Sequence, residues 1–148
     1  MICLSWNCRG LASKPKKLVL KELVSRYMPD LVFLQETLGR AVETELVLRS
    51  LLPGWSFVAL DADGHSSGLA IGCRDGRLKI LSHWGMPNVL GMEVLYPDFD
   101  FSLLTVNVYG PCQSSVAFWN ALMTKDLLKG RHLLIGGDLN FSLGAAET

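Results

Sequence analysis

The stretch Pro29-Asp30-Leu31-Val32-Phe33-Leu34-Gln35-Glu36-Thr37 decides how this chain reads. Pro29 stops any helix before it, because it lacks a backbone N–H and crowds the preceding turn. Leu31–Leu34 is apolar without alternation, the texture of a strand buried on both faces. Glu36 follows it immediately, and a carboxylate there is costly to bury unless it is paired or metal-bound.

Upstream, Met1–Trp6 is a short β-prone run. Ser13 stands where an N-cap belongs, with Pro15 in the first turn of a helix reaching about Tyr27. Leu20, Leu23, Val24 and Tyr27 follow the i, i+3, i+4, i+7 spacing of one buried face. Downstream, Ala41–Leu52 reads as a second helix with Val42, Leu46, Val47 and Ser50 on one side, ended by Pro53-Gly54. Strands are expected at Trp55–Leu60, Leu69–Cys73, Leu78–His83, Leu90–Tyr96 and Phe101–Val108. Asp75-Gly76 is a hairpin signal and Pro97-Asp98 another turn. A third helix near Ser115–Lys129 spaces Val116, Trp119, Met123 and Leu127 along a stripe, and His132–Ile135 is a last strand. A β-α-β opening followed by a meander is mixed α/β, with antiparallel pairing in the middle.

Four of these strands hand over to chemistry. Asn7 follows the first, Gln35-Glu36 the second, Asn107 and Tyr109 close the Phe101 strand, and Asp138 and Asn140 follow the last. In open α/β sheets ligands collect beyond the carboxyl ends of strands. Polar strand ends also occur simply because loops are solvated, but four together point to a site. Glu36, Asp138, Asn7, Asn140, Asn107 and Tyr109 form an all-oxygen set, which suits Mg²⁺ or Mn²⁺ rather than zinc. With a phosphate ester bound, a remaining carboxylate can activate water while amides and a phenol hold the non-bridging oxygens. Gly136-Gly137 is no Walker loop, since no Gly-Lys-Ser/Thr follows; it allows close backbone approach before Asp138.

Composition is compatible with this reading. The 148 residues are 49% hydrophobic and 19% charged, with mean hydropathy +0.28, which excludes disorder. Fourteen basic residues balance fourteen acidic ones, so no global charge marks a polyanion partner. Residues 1–29 nevertheless carry six basic groups and one acid, a local excess suited either to steering a phosphate backbone or to a solvated helix face. Cys3, Cys8, Cys73 and Cys112 form no CxxC pair, which fits a reduced compartment. No secretory signal or membrane-length apolar run is visible, so the expected location is intracellular, in nucleus or cytoplasm, with no membrane partner.

The string Ser5-Trp6-Asn7-Cys8-Arg9-Gly10-Leu11 resembles the opening of the endonuclease/exonuclease/phosphatase superfamily. More narrowly, it looks like the endonuclease domain of plant LINE-type (non-LTR) retrotransposons. Four further blocks stand in the same order: Pro29-Asp30 with Phe33–Thr37, Ser67-Gly68-Leu69-Ala70, Asn107-Val108-Tyr109-Gly110-Pro111, and Ile135-Gly136-Gly137-Asp138-Leu139-Asn140. The resemblance implies a four-layer α/β sandwich of the DNase I-like type, a Mg²⁺ (or Mn²⁺) cofactor and DNA as substrate; intact relatives carry a reverse transcriptase in the same chain. It also implies Glu36 as chief metal ligand with Asn7 beside the metal, and Tyr109 on the scissile phosphate. Asp138 would act on the attacking water, and Asn140 would hold Asp138 and a phosphate oxygen. Arg9 and Asn107 complete the set expected to face DNA.

Departures limit the expected activity. Arg9 stands where abasic-site endonucleases carry an acid, Gly68 is single where relatives have a glycine pair, and Leu139 replaces a common phenylalanine. The resemblance also calls for a terminal Ser-Asp-His block, which these 148 residues do not contain. His65 is expected in a loop, His83 at a strand end and His132 at a strand start, none in that block's context. The expectation is therefore a partial domain spanning 1–148 with reduced or no turnover. Its Leu103–Val108 and Leu133–Ile135 strands would be left short of neighbours. The alternatives are a non-catalytic DNA-binding remnant, or a superfamily phosphatase acting on another phosphate ester.

Overall fold

The computed structural model describes residues 1–62 and 67–140. The expected loop residue His65 lies outside them. Among the described residues are eight strands and three α-helices. Strands β1 (Cys3–Asn7), β2 (Leu31–Gln35), β3 (Trp55–Leu60) and β4 (Leu69–Arg74) form one sheet in the order β1-β2-β4-β3. Strands β5 (Lys79–Met86), β6 (Val89–Leu95), β7 (Ser102–Tyr109) and β8 (His132–Asp138) form the second, in sequential order. Each sheet contains one parallel pair, β1 with β2 and β7 with β8; the other pairs are antiparallel.

Three apolar clusters define four layers. Leu20 and Val24 of α1 (Lys14–Tyr27) and Leu48 of α2 (Ala41–Leu51) pack on Val32, Leu34, Phe57 and Ala70, covering the outside of the first sheet. Leu31, Phe33, Leu69 and Ile71 meet Leu90, Met92, Val94 and Leu103 between the sheets. Leu122 of α3 (Ser115–Met123), together with Leu128 of a short 3-10 turn, covers Val89, Leu104, Val106 and Val108 on the outside of the second sheet. Burying one such side chain fully contributes about 1.5–3 kcal/mol, so these three interfaces carry most of the fold's stability.

The expected elements form, but several faces turn otherwise. Tyr27 is exposed, and the buried residues of α1 are Leu20 and Val24. In α2 the buried pair is Thr44 and Leu48, while Val42 and Leu46 are 70% and 62% exposed. The third helix ends at Met123, and Val116, Met123 and Leu127 face solvent; Leu122 and Leu128 anchor this region instead. Asp75-Gly76 is a turn but not a hairpin. It passes the chain from β4 in one sheet to β5 in the other. The tight hairpin is Met86-Pro87-Asn88-Val89, with Asn88 at φ +63°, which extends β5 through His83. Pro97-Asp98 does join antiparallel β6 and β7, and His132 does open β8. β7 is not short of neighbours: it lies between β6 and β8, and Leu104, Val106 and Val108 are buried. Exposure falls mainly on the edge strands, most of all β5, and on β1 and β8. No helix among the described residues is long and apolar enough to cross a membrane.

Candidate active site

Parallel pairing places the carboxyl ends of β1 and β2 side by side, and likewise those of β7 and β8. Asn7 is the register partner of Gln35, and Tyr109 of Asp138. The two sheets bring these ends together. The side-chain nitrogen of Asn7 donates to Glu36 Oε1 at 2.8 Å and to Asp138 Oδ2 at 2.9 Å. One amide thus joins two carboxylates 102 positions apart in sequence. The Tyr109 hydroxyl hydrogen-bonds Glu36 as well. Burial, then the Glu36 hydrogen bond and charge, push its phenol up to about 12. It remains a neutral donor at physiological pH.

The backbone around Glu36 is held in an uncommon form. Glu36 has φ +54°, a left-handed conformation that strains a non-glycine residue. The loop after β1 straps it: Cys8 N–H donates to Gln35 O at 3.0 Å and Gly10 N–H to Glu36 O at 2.6 Å. On the other side Thr37 N–H donates to Gly68 O at 3.1 Å. This turn aims the carboxylate across the sheet end rather than along the strand. Gly137, at φ +130°, has no room for a Cβ against the Val108 carbonyl, so the expected close backbone approach ahead of Asp138 is present.

Asn140, also left-handed at φ +48°, donates its amide to Gly110 O at 2.6 Å, and Gly110 N–H returns to Asp138 O at 2.7 Å. Its side chain therefore fixes the segment after Tyr109, while the Asp138 carboxylate accepts from Asn7. Arg9 is exposed and left-handed at φ +47°, with its N–H on Asn7 Oδ1 at 3.2 Å and its carbonyl accepting from Lys16 Nζ. Asn107 does not face a ligand. It is fully buried, and both its amide hydrogens go to main-chain carbonyls of the opposite sheet. The alternation of β7 carries this signal, since two residues before Tyr109 lies on the same inward face.

Beside Tyr109 opens a cleft of about 550 Å³. One wall is Leu60, Asp61, Ser67 and Gly68; the other is the Met86-Pro87-Asn88 hairpin with Pro111 and Cys112. No Lys or Arg lines it among the described residues. The sequence marks strands on either side of the β5–β6 turn, but only the stacking of the two sheets makes that turn a wall of the cleft.

The donor set fits a hard divalent cation. Among the described residues neither Glu36 nor Asp138 has an ion-pair partner, so two half-buried carboxylates share one amide and one phenol. Mg²⁺ is commonly bound by one or two carboxylates and keeps its waters; among the described residues no group of three His, Cys, Asp or Glu comes together.

Four layers with such a cluster at one end of the sandwich define a DNase I-like α/β fold. A sequence profile of the Endonuclease/Exonuclease/phosphatase family matches residues 4–148, and the chain belongs to that family. Among curated protein sequences none matches. Among solved structures, a humanized D. rerio TDP2 with 14 mutations superposes with TM-score 0.75 at 19% identity, over 96% of this chain and 67% of that one. D. rerio TDP2 complexed with single-strand DNA product gives 0.73 at 20%, over 96% and 61%. Bacteroides thetaiotaomicron mannosyl-6-phosphatase gives 0.69 at 17%, over 95% and 65%. The chain thus spans about two thirds of the length of these structures.

Proposed function

We propose that this chain is a metal-dependent phosphodiesterase of the DNA endonuclease type, functionally akin to the plant LINE-type retrotransposon endonucleases. The observation that carries the reading is the Asn7 amide held between Glu36 and Asp138, with the Tyr109 phenol on Glu36. A divalent cation held by Glu36 and its neighbours would supply charge neutralisation at the phosphate. Asp138 accepts a proton from an attacking water. Tyr109 turns its hydroxyl to a phosphate oxygen, Asn7 holds Glu36 and Asp138 in place beside the cation, and Asn140 keeps the Gly110 segment next to them. Arg9 and Lys16, on the rim, face the flanking backbone of a nucleic acid. That one similar structure is complexed with single-strand DNA favours this substrate class.

Turnover by the 148 residues alone is expected to be low, because the Ser-Asp-His block implied by the sequence resemblance is not among them. A second reading, hydrolysis of a small phosphate ester, draws on the cleft beside Tyr109 and its lack of cationic lining among the described residues. The deciding experiment is Mn²⁺ binding followed by electron paramagnetic resonance, with plasmid DNA and a sugar phosphate as competing ligands. Binding lost in Glu36→Ala and tightened by DNA supports the endonuclease reading. Binding unchanged in Glu36→Ala refutes the cation site, and tightening by the sugar phosphate alone favours the second reading.

A further inference from the structure

Behind the site the space between the sheets changes character along its length. On β2 the inward residues run Leu31, Phe33, Gln35; on β7 they run Leu103, Thr105, Asn107. The last of each meet. Gln35 Nε2 donates to Asn107 Oδ1 at 2.7 Å, and also to Ser5 Oγ at 3.2 Å. Asn107 Nδ2 donates to Leu34 O at 2.9 Å and to Ala70 O at 3.0 Å, which belong to register partners on β2 and β4. Gln35 is 1% exposed and Asn107 0%. An amide from one sheet is thereby fastened to two central strands of the other.

Stability alone does not account for this arrangement. Apolar side chains at both positions would fill the same space, although the Leu34 and Ala70 carbonyls would then lose the Asn107 amide. What an amide pair adds is geometry: it holds the sheets at hydrogen-bond length and in one register, where apolar side chains would tolerate sliding. Its location gives that geometry a use. Glu36 is the residue after Gln35, Tyr109 lies two after Asn107, and Tyr109 must reach Glu36 across the gap.

We infer that the Gln35–Asn107 pair is a positioning device, setting the inter-sheet spacing at which Glu36, Tyr109 and Asp138 form one cation and phosphate site. The inference rests on the proposed reading of that cluster. Groups of this kind, one step behind a ligand, typically contribute 10–100-fold to metal affinity or activity.

The test compares Gln35→Met/Asn107→Leu with the parent chain and Glu36→Ala, reading thermal unfolding and Mn²⁺ affinity by electron paramagnetic resonance. The expected result is a folded double variant with a lowered unfolding midpoint, because the Leu34 and Ala70 carbonyls lose a donor, and with the Mn²⁺ dissociation constant raised about tenfold or more. Unchanged affinity in the folded double variant, with binding lost in Glu36→Ala, overturns the inference and leaves the cation site standing. Unchanged binding in Glu36→Ala removes the cation site and this inference with it. Should the double variant fail to fold, the parent's nuclear magnetic resonance spectrum decides. Side-chain amide signals of Gln35 and Asn107 that move on adding Mg²⁺ support the device, and signals that stay still overturn it.

Discussion

Asp138 and Tyr109 are register partners at the ends of two parallel strands, β8 and β7, and each reaches the same acidic cluster from its own side. Asp138 meets Asn7, and Tyr109 meets Glu36. Pairing in one sheet therefore fixes the relative height of the group proposed to activate water and the group proposed to hold the phosphate.

Tyr109→Phe keeps the ring and removes the hydroxyl. In a chimera extended with a relative's second half, diester cleavage is expected to fall by about 10²-fold, the usual loss for one preorganised donor, with little change in unfolding temperature. The parent phenol, pushed up to about 12 mainly by burial, binds its proton more tightly folded than unfolded, where its pKa is about 10. Its contribution to stability is therefore complete below pH ~10 and is lost as pH rises through about 12. Tyr109→Phe should make that alkaline limb shallower, measured as denaturation midpoint against pH, leaving the part due to the buried Cys8 and Cys73 thiols, which are themselves pushed up to about 11.

Asp138→Ala tests the chemistry directly. Nicking of supercoiled plasmid in Mg²⁺ by the 148 residues is expected near background. A chimera extended with a relative's second half should recover activity, and Asp138→Ala in that chimera should remove it. Robust nicking by the short chain that survives Asp138→Ala would refute the assigned role.

Gly137→Ala forces a Cβ against the Val108 carbonyl at φ +130°. Backbone strain of this kind costs about 1–3 kcal/mol, expected as a lower urea midpoint. Because Gly137 directly precedes Asp138, Mn²⁺ affinity should fall as well.

Asp30 is buried and would be raised by that burial, but the Ile2 N–H at 2.8 Å and Arg77 at 3.2 Å outweigh it and hold the carboxyl below its usual range. Its contribution to stability is present above the unfolded carboxyl pKa near ~3.9 and is lost as pH falls through the lower folded value. Arg77→Ala should move the acid unfolding midpoint upward in pH while leaving neutral-pH Mn²⁺ binding unchanged.

Cys112 lines the cleft and is exposed, whereas Cys8 and Cys73 are buried with their thiols pushed up to about 11 by that burial. In a Cys3→Ser background, a bulky maleimide should label Cys112 and weaken competition by diester substrates in a binding assay. Mn²⁺ binding should be unaffected, which separates a blocked cleft from a damaged cation site.

Much of the architecture was legible because it depends on local pattern. An unbroken apolar run marked β2, turn-rich pieces bounded β7, Pro29 and Pro53-Gly54 ended helices, and the residues after four strands marked the site. Which side of a helix is buried was less legible. The second helix has apolar groups on both flanks, and packing selected Thr44 and Leu48 because those positions meet the outer face of the first sheet. Asp75-Gly76 has hairpin chemistry, yet the turn changes sheets, since strand pairing depends on contacts far away in sequence.

The sequence by itself determined that this is a mixed α/β chain of the endonuclease/exonuclease/phosphatase family, and that Asn7, Glu36, Tyr109 and Asp138 stand at strand ends. Periodicity and strand termination are short-range properties, set by the spacing of side chains along the backbone. Only the tertiary structure decided that Asn7 lies between Glu36 and Asp138, and that Asn107 ties the two sheets together instead of facing a ligand. Those roles follow from how two separate sheets stack, and stacking is settled by long-range packing that no local stretch encodes.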